Sequence, residues 1–300
     1  MTVVRVRHST PFVSSEVEKR PRTHNPRFST SLETNGMEDL VSRSAQVTSD
    51  FTTHRYTGFD GADLAWHELG TGRDVILIHG YFSDAHTNWI RYGHAAAIAA
   101  KGFRVIMPDL RAHGQSARPH DAAAYPADAL AMDGEALIEE LGLTDYDLGG
   151  YSLGARTTVR MLARGKIPAS GKVVISGIGY EGLTDTGKRA GHFRRILTNL
   201  GSFERGSPEW MAEAFLKTTK GDPKALLGIL DTFVDTPREA IAAIDQPVLV
   251  LAGEDDDDNG SHQALADLLP DATLVETPGG HMSAVTKPEL GGAIADFLVA

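Results

Sequence analysis

Within Asp147-Leu-Gly-Gly-Tyr-Ser-Leu-Gly-Ala155 an apolar, strand-like run passes straight into an alanine-rich helical pattern, with Ser152 between Gly150 and Gly154. A turn tight enough to join strand to helix in so few residues forces strained backbone angles and crowds its neighbours, so residues without a β-carbon are needed around the one side chain it pushes outward. The helix that follows points its first free N–H groups and its positive dipole end at that side chain. A chain with such a turn is expected to be an α/β protein with Ser152 as a nucleophile and half of an oxyanion hole beside it.

The flanking pattern extends this expectation. Phe51–Thr57 and Leu64–Leu69 read as a hairpin around Gly-Phe-Asp-Gly-Ala-Asp. Val75–Ile78 is a short, wholly apolar run, as for a strand covered on both faces of a parallel sheet. Arg104–Leu110, Tyr146–Gly149, Lys172–Ser176, Pro247–Ala252 and Ala272–Glu276 continue the series. Helical patterns over Trp89–Lys101, Pro126–Leu141, Leu153–Arg164, His262–Leu269 and about Ser283–Val299 alternate with them. The rhythm implies a mostly parallel, doubly wound sheet of about eight strands over 51–176 and 245–300. Between them, 177–244 has no strand pattern. It carries a helical stretch, Arg189–Leu200, and three further helix starts in which a capping side chain precedes proline: Ser207-Pro208, Asp222-Pro223 and Thr236-Pro237. This insertion is expected to be a helical cap or lid.

Residues 1–50 differ from the rest. Ser, Thr, Arg and Pro dominate, and the first 30 carry six Lys/Arg against Glu16 and Glu18. Composition points to a disordered extension; a transit peptide is the rival reading, and translation from Met37 would remove most of the segment. A net charge of −11 speaks against a nucleic-acid surface, and the absence of cysteine removes disulfides, thiolate metal sites and a thiol nucleophile. No apolar run approaches the roughly 18 residues of a membrane helix. A cytoplasmic protein with a small-molecule partner is expected, without nucleic acid or membrane; self-association stays open.

A serine hydroxyl needs a base within hydrogen-bond reach, and that base needs a third group to hold its tautomer. In an open parallel sheet such groups belong on loops leaving the carboxyl ends of strands. Three loops qualify: the one carrying Ser152, the acidic run Glu254-Asp-Asp-Asp-Asp258, and the one carrying His281. Taken with His79-Gly80 after an early strand, Asp109-Leu-Arg-Ala-His-Gly-Gln-Ser116 after the next and Gly280-His281 after the last, the chain over 51–300 resembles the α/β-hydrolase fold family. Ala112 stands where that family usually has glycine.

The resemblance implies Ser152 as nucleophile and His281 as general base. It implies Asp256, three residues after the strand-ending Gly253, as the acid, with Asp255, Asp257 and Asp258 as register alternatives. It also implies an oxyanion hole from the N–H groups of Leu153 and Tyr81, with Phe82 as the fallback. His262 is a rival base, His113 a structural or gate residue, His79 a packing residue, and Asp109 and Arg111 supports of the loop. Tyr81, Phe82, Tyr151, Trp210 and Met282 are expected as pocket walls beneath the insertion. Two further patterns are set aside: Gly177-Ile-Gly-Tyr-Glu-Gly182 as a dinucleotide fingerprint, and Asp255-x-Asp257-x-Asn259-Gly260 as a calcium loop whose twelfth position is Ala266. No cofactor and no metal are expected.

The reaction expected is hydrolysis of a small, largely apolar carboxylic ester, thioester or lactone through an acyl-enzyme. C–C bond hydrolysis of the ring-cleavage type, or a sensor that keeps the triad without turnover, would use the same residues. Serine rather than aspartate at 152 argues against epoxide hydrolases and haloalkane dehalogenases, which in the resembled family attack with a carboxylate.

Overall fold

The computed structural model describes residues 51–168 and 171–300, together with the backbone of Val4–Arg5. The disordered extension, the transit-peptide reading and the start at Met37 concern residues outside these, apart from the pair 4–5. That pair forms a two-residue strand, β1, which pairs in parallel with the last strand of the sheet.

Eight strands follow: β2 (Thr52–Thr57), β3 (Asp63–Gly70), β4 (Arg73–Ile78), β5 (Phe103–Pro108), β6 (Tyr146–Tyr151), β7 (Val173–Ser176), β8 (Val248–Gly253) and β9 (Ala272–Thr277). They lie in the order β1-β9-β8-β7-β6-β4-β5-β3-β2. The hairpin β2–β3 and the pair β3–β5 are antiparallel; every other pairing is parallel. The apolar run of β4 shows why both faces must be covered: Val75 and Leu77 pack on one side of the sheet, Ile76 and Ile78 on the other. Helices α1 (His94–Ala99), α2 (Ala129–Glu140) and α3 (Leu153–Arg164) follow β4, β5 and β6. Chain order reverses at β4, which lies between β5 and β6, so the loops after β4 and β6 open a crevice where ligands bind in such sheets.

Five helices stand between β7 and β8: α4 (Tyr180–Thr184), α5 (Thr186–Thr198), α6 (Pro208–Thr218), α7 (Pro223–Asp231) and α8 (Arg238–Ala242). Ser207 accepts from the Trp210 N–H at 3.2 Å, and Asp222 from those of Lys224 and Ala225. The third expected cap differs. Pro237 is itself the extended residue before α8, so the helix begins one position later and the Thr236 hydroxyl has no partner. The helix expected over Trp89–Lys101 is divided, because Gly93 turns left-handed at φ 81° between a π-helical turn, His86–Ile90, and α1. The closing helix is divided too. After α9 (His262–Leu268) and β9 come a single turn, α10 (His281–Ala284), and then α11, which restarts at Pro288 and runs to Val299. Among the described residues no helix is long and apolar enough to cross a membrane.

Candidate active site

Ser152 follows β6 with φ 54° and ψ −108°, a backbone conformation that a residue with a side chain seldom adopts. Close packing keeps it there. A β-carbon on Gly150 would lie 2.3 Å from the carbonyl carbon of Gly154, and one on Gly154 would lie 2.0 Å from the carbonyl oxygen of Ile78 in β4. The Ser152 N–H is anchored to the carbonyl of Ser176 at the end of β7. Strand, turn and helix are therefore pressed together as the sequence requires, with the hydroxyl left free to meet other loops.

His281, at the start of α10, brings Nε2 to 3.1 Å from Ser152 Oγ and Nδ1 to 2.9 Å from Asp256 Oδ2. An ionised carboxylate only accepts, so Nδ1 carries the proton and donates to Asp256, leaving Nε2 to accept from the serine hydroxyl. Within the acidic run Asp256 is the buried residue, at 5% exposure, whereas Asp255, Asp257 and Asp258 face solvent. Its other oxygen, Oδ1, accepts from the Asp258 N–H at 3.2 Å. Burial pushes the Asp256 carboxyl up, but the His281 hydrogen bond and charge outweigh it, and the net shift is below the ordinary range.

Asn259, one of the calcium-like residues, packs its Nδ2 3.3 Å from His281 Nδ1 and donates to the Gly177 carbonyl at 3.1 Å. The Gly177–Gly182 glycines have a packing reason as well. β-Carbons there would meet the Tyr151 ring at 2.7 Å, Gly260 at 2.3 Å and Asn259 at 2.6 Å, so the segment lies flat on the loop that holds Asp256. The Tyr151 hydroxyl donates to the His281 carbonyl, tying the residue before the serine to the histidine loop.

A cavity of about 170 Å³ opens over Ser152 and His281. Tyr81, Tyr151 and Met282 line it, the last 52% exposed at the mouth, together with Asn88, Tyr92, Phe215 and Val285. Phe82 and Trp210 do not. Phe82 is buried against Tyr81 and Phe193, and Trp210 sits on α6 beside Arg205. Of the insertion, only Phe215 reaches the cavity; its walls come mainly from the loop after β4 and from α10. The Tyr81 and Leu153 N–H groups make no hydrogen bond among the described residues. Tyr81 anchors its hydroxyl on the Leu226 carbonyl of α7, at 2.7 Å.

The supporting residues are divided into separate clusters. Asp109 does not pair with Arg111: it accepts from His67, from the Ala85 N–H at 2.9 Å and from the Gln115 N–H at 2.8 Å. Burial alone would raise its carboxyl; the His67 hydrogen bond and neighbouring imidazoles bring it well below the usual range. Arg111, fully buried, is forked between Asp60 and Asp133. His79 accepts the Leu110 N–H on Nε2 at 3.0 Å, which leaves Nδ1–H to donate to the Gly80 carbonyl at 2.8 Å. His113 bonds the Arg111 carbonyl and packs edge-on to His79; burial brings it down to about 3. Ala112 adopts φ 68°, which accounts for the glycine usual there. His262 heads α9 with Nε2 unpartnered and makes no hydrogen bond to Ser152 or His281.

A serine, an acid and a histidine drawn in that order from the carboxyl ends of three strands of a mostly parallel sheet define the α/β hydrolases as a class. The model of the alpha/beta hydrolase family matches residues 75–290, and the chain belongs to that family. An AB hydrolase superfamily protein of Bacillus subtilis is 28% identical over 215 residues, covering 63% of this chain and 76% of that protein. An epoxide hydrolase of Caballeronia sordidicola is 35% identical over 96 residues, 32% of this chain and 28% of its own. Among solved structures, a thermophilic esterase of Thermogutta terrifontis superposes with a TM-score of 0.67 at 24% identity, over 83% of this chain and 98% of that one.

Proposed function

We propose that the protein is a serine hydrolase that cleaves small, uncharged carboxylic esters through an acyl-enzyme. The observation that carries this reading is the unbroken relay from Ser152 Oγ to His281 Nε2, 3.1 Å, and from His281 Nδ1 to Asp256 Oδ2, 2.9 Å, opening on the cavity. Ser152 attacks the carbonyl carbon as its proton passes to Nε2, and His281 returns that proton to the leaving alkoxide. Water activated by the same nitrogen then releases the acid.

The N–H groups of Leu153 and Tyr81 are the proposed oxyanion donors. The His79 bond to the Gly80 carbonyl fixes the Gly80–Tyr81 peptide, and in a trans peptide the Tyr81 N–H points opposite to that carbonyl. Each such donor typically contributes about 10²–10³ in turnover. The volume of about 170 Å³ is below the roughly 300–1,000 Å³ of drug-sized pockets, which favours short acyl chains. Among the described residues no Asp, Glu, Lys or Arg lines the cavity, and His281 is its one histidine, which favours neutral substrates.

A p-nitrophenyl ester series from acetate to octanoate, run with wild type and Ser152→Ala, tests this. Hydrolysis is expected to peak at the short esters and to vanish in the variant. Labelling of a residue other than Ser152 by a fluorophosphonate, or no turnover across the series, would refute it.

A further inference from the structure

Two cavities share the loop after β4. Ser83 and Thr87 line the one over Ser152, whereas Asp84 and His86 line a second, of about 320 Å³. Helix α6 bounds both: Phe215 faces the first, and Thr219 and Lys220 face the second. Residues four apart on a helix stand on one face, a turn from each other, so the cavities succeed one another along α6 and Phe215 stands where the first gives way to the second. The Phe215 carbonyl is taken by the Thr219 N–H inside the helix at 3.1 Å, which leaves the ring as the part that α6 turns outward. Phe215 keeps accessible surface, while Leu216 beside it is buried in the core. The helix is also pinned at both ends of the stretch that carries the ring. Glu213 accepts the Gly201 N–H at 2.8 Å, and Arg118, from the loop after β5, donates to the Lys220 carbonyl at 2.9 Å just past the helix end.

We infer that Phe215 is a specificity-determining residue, whose ring closes the Ser152 cavity against the second one and so sets the longest chain an ester can carry there. The inference rests on the serine-ester reading and adds to it the side chain that keeps the preferred esters short. Of the insertion only Phe215 reaches this cavity, so trimming that one ring opens a volume of about 170 Å³ towards one of about 320 Å³. Ser152, His281 and Asp256 bond one another and not α6, so the relay keeps its geometry when the ring is removed. The first apolar stretch of a longer chain would then lie where the ring was, and each methylene buried there gains about four-fold in binding.

The test uses two ester series, p-nitrophenyl alkanoates, which lengthen the acyl chain, and alkyl acetates, which lengthen the alcohol. In each, kcat/KM for the octyl member is divided by that for the butyl member, so that any general loss of activity cancels. Phe215→Ala is expected to raise this ratio about fifteen-fold in one series or the other, the effect of two further buried methylenes at about four-fold each. Phe215→Leu should raise it less, and Phe215→Trp, which fills the gap further, should lower it. Trp210→Ala serves as the control, because that ring is on the same helix but off the cavity, and its ratio should match wild type. A ratio that Phe215→Ala and Phe215→Leu leave within one methylene's worth of wild type in both series overturns the inference. So does an equal rise in Trp210→Ala, which would mean that a loosened cap and not the lost ring admits the longer chain. Should Phe215→Ala not fold, the leucine and tryptophan variants decide by the opposite signs expected of them. Wild-type turnover with no change in the variants leaves the ester reading standing, whereas no turnover of either series by wild type removes both.

Discussion

Replacing Asp256 by asparagine should be among the most damaging single changes outside Ser152 and His281, although it alters one atom. In the wild type one carboxylate oxygen takes the His281 Nδ1–H at 2.9 Å and the other takes the Asp258 N–H at 3.2 Å. An amide has one acceptor and one donor end, so it can satisfy only one of these partners. If its oxygen faces His281, its NH₂ meets the Asp258 N–H, donor against donor. If its oxygen faces Asp258, its NH₂ forces His281 to accept on Nδ1, and the proton moves to Nε2, where it blocks the serine. The first arrangement costs about 1–3 kcal/mol for the unpaired buried donors, so the second, which leaves no buried group unpaired but fixes the inactive tautomer, is the one favoured. The charge opposite the imidazolium is lost as well, and together these predict a fall in kcat of about 10³–10⁴. The assay is initial-rate hydrolysis of p-nitrophenyl acetate, with fluorophosphonate labelling as a second readout and Asp255→Asn, Asp257→Asn and Asp258→Asn alongside. Asp255 and Asp257 are exposed and should stay within about three-fold of wild type, since exposed substitutions away from such features perturb little; Asp258, with a carboxylate oxygen within 4.8 Å of an Asp256 oxygen and a His281 ring nitrogen, should lose more than these two and less than Asp256. A loss under ten-fold at 256, or a larger loss at 258, would refute the tautomer argument.

Gly154→Ala should destabilise by about 3 kcal/mol in urea titration and slow labelling of Ser152, because the added carbon meets the Ile78 carbonyl at 2.0 Å; Gly165→Ala, strained but in open space, should cost about 1 kcal/mol. Burial lowers His113 to about 3, whereas in the unfolded chain a histidine titrates near 6.5. The unfolded state therefore binds more protons between these values, so the stability contributed is complete above about pH 6.5 and is lost as pH falls through the window, by about 2 kcal/mol at pH 5 for this one group. Urea midpoints at pH 7 and 5 check this; an unchanged midpoint would show that His113 is not kept neutral.

Periodicity made the sheet and its flanking helices legible, because each strand after β3 is a short apolar run with turn residues at its end. It failed where one residue redirects the backbone inside an otherwise helical pattern: at Gly93, and before Pro288. The three side chains of the proposed triad could be located because each stands on a loop leaving the carboxyl end of a strand, and chain order limits which loops meet. Among the four adjacent aspartates the resemblance points to Asp256, three residues after Gly253, and burial, which spacing does not encode, separates it from its exposed neighbours. Phe82 and Trp210 stand off the cavity because of packing that local sequence does not carry: Phe82 turns its ring onto Tyr81 and Phe193, the latter over a hundred residues away, and Trp210 lies beside Arg205 on a cap helix. Asn88 has no signature in the sequence and Asn259 enters it only within the set-aside calcium pattern, since a lone asparagine has no period or spacing of its own; the Gly80 N–H that Asn88 takes and the Gly177 carbonyl that Asn259 reaches show where each one acts.

The supporting clusters explain how so much strained backbone persists around one cavity. Ser152, Phe82 and Ala112 all have positive φ without being glycine, each at a cost of order 1–3 kcal/mol. Every one of them lies beside a buried polar group that bonds main chain: the Ser176 carbonyl takes the Ser152 N–H, Asn88 and His79 take the two ends of Gly80 next to the loop carrying Phe82, and Asp109 holds the Gln115 N–H just beyond Ala112. Because these bonds lie in the interior, breaking one leaves a desolvated donor or acceptor, a cost comparable to the strain it opposes. The loops after β4, β5 and β6 are thus held by buried bonds to main chain, and the proposed relay from Ser152 through His281 to Asp256 depends on the backbone they fix at Ser152.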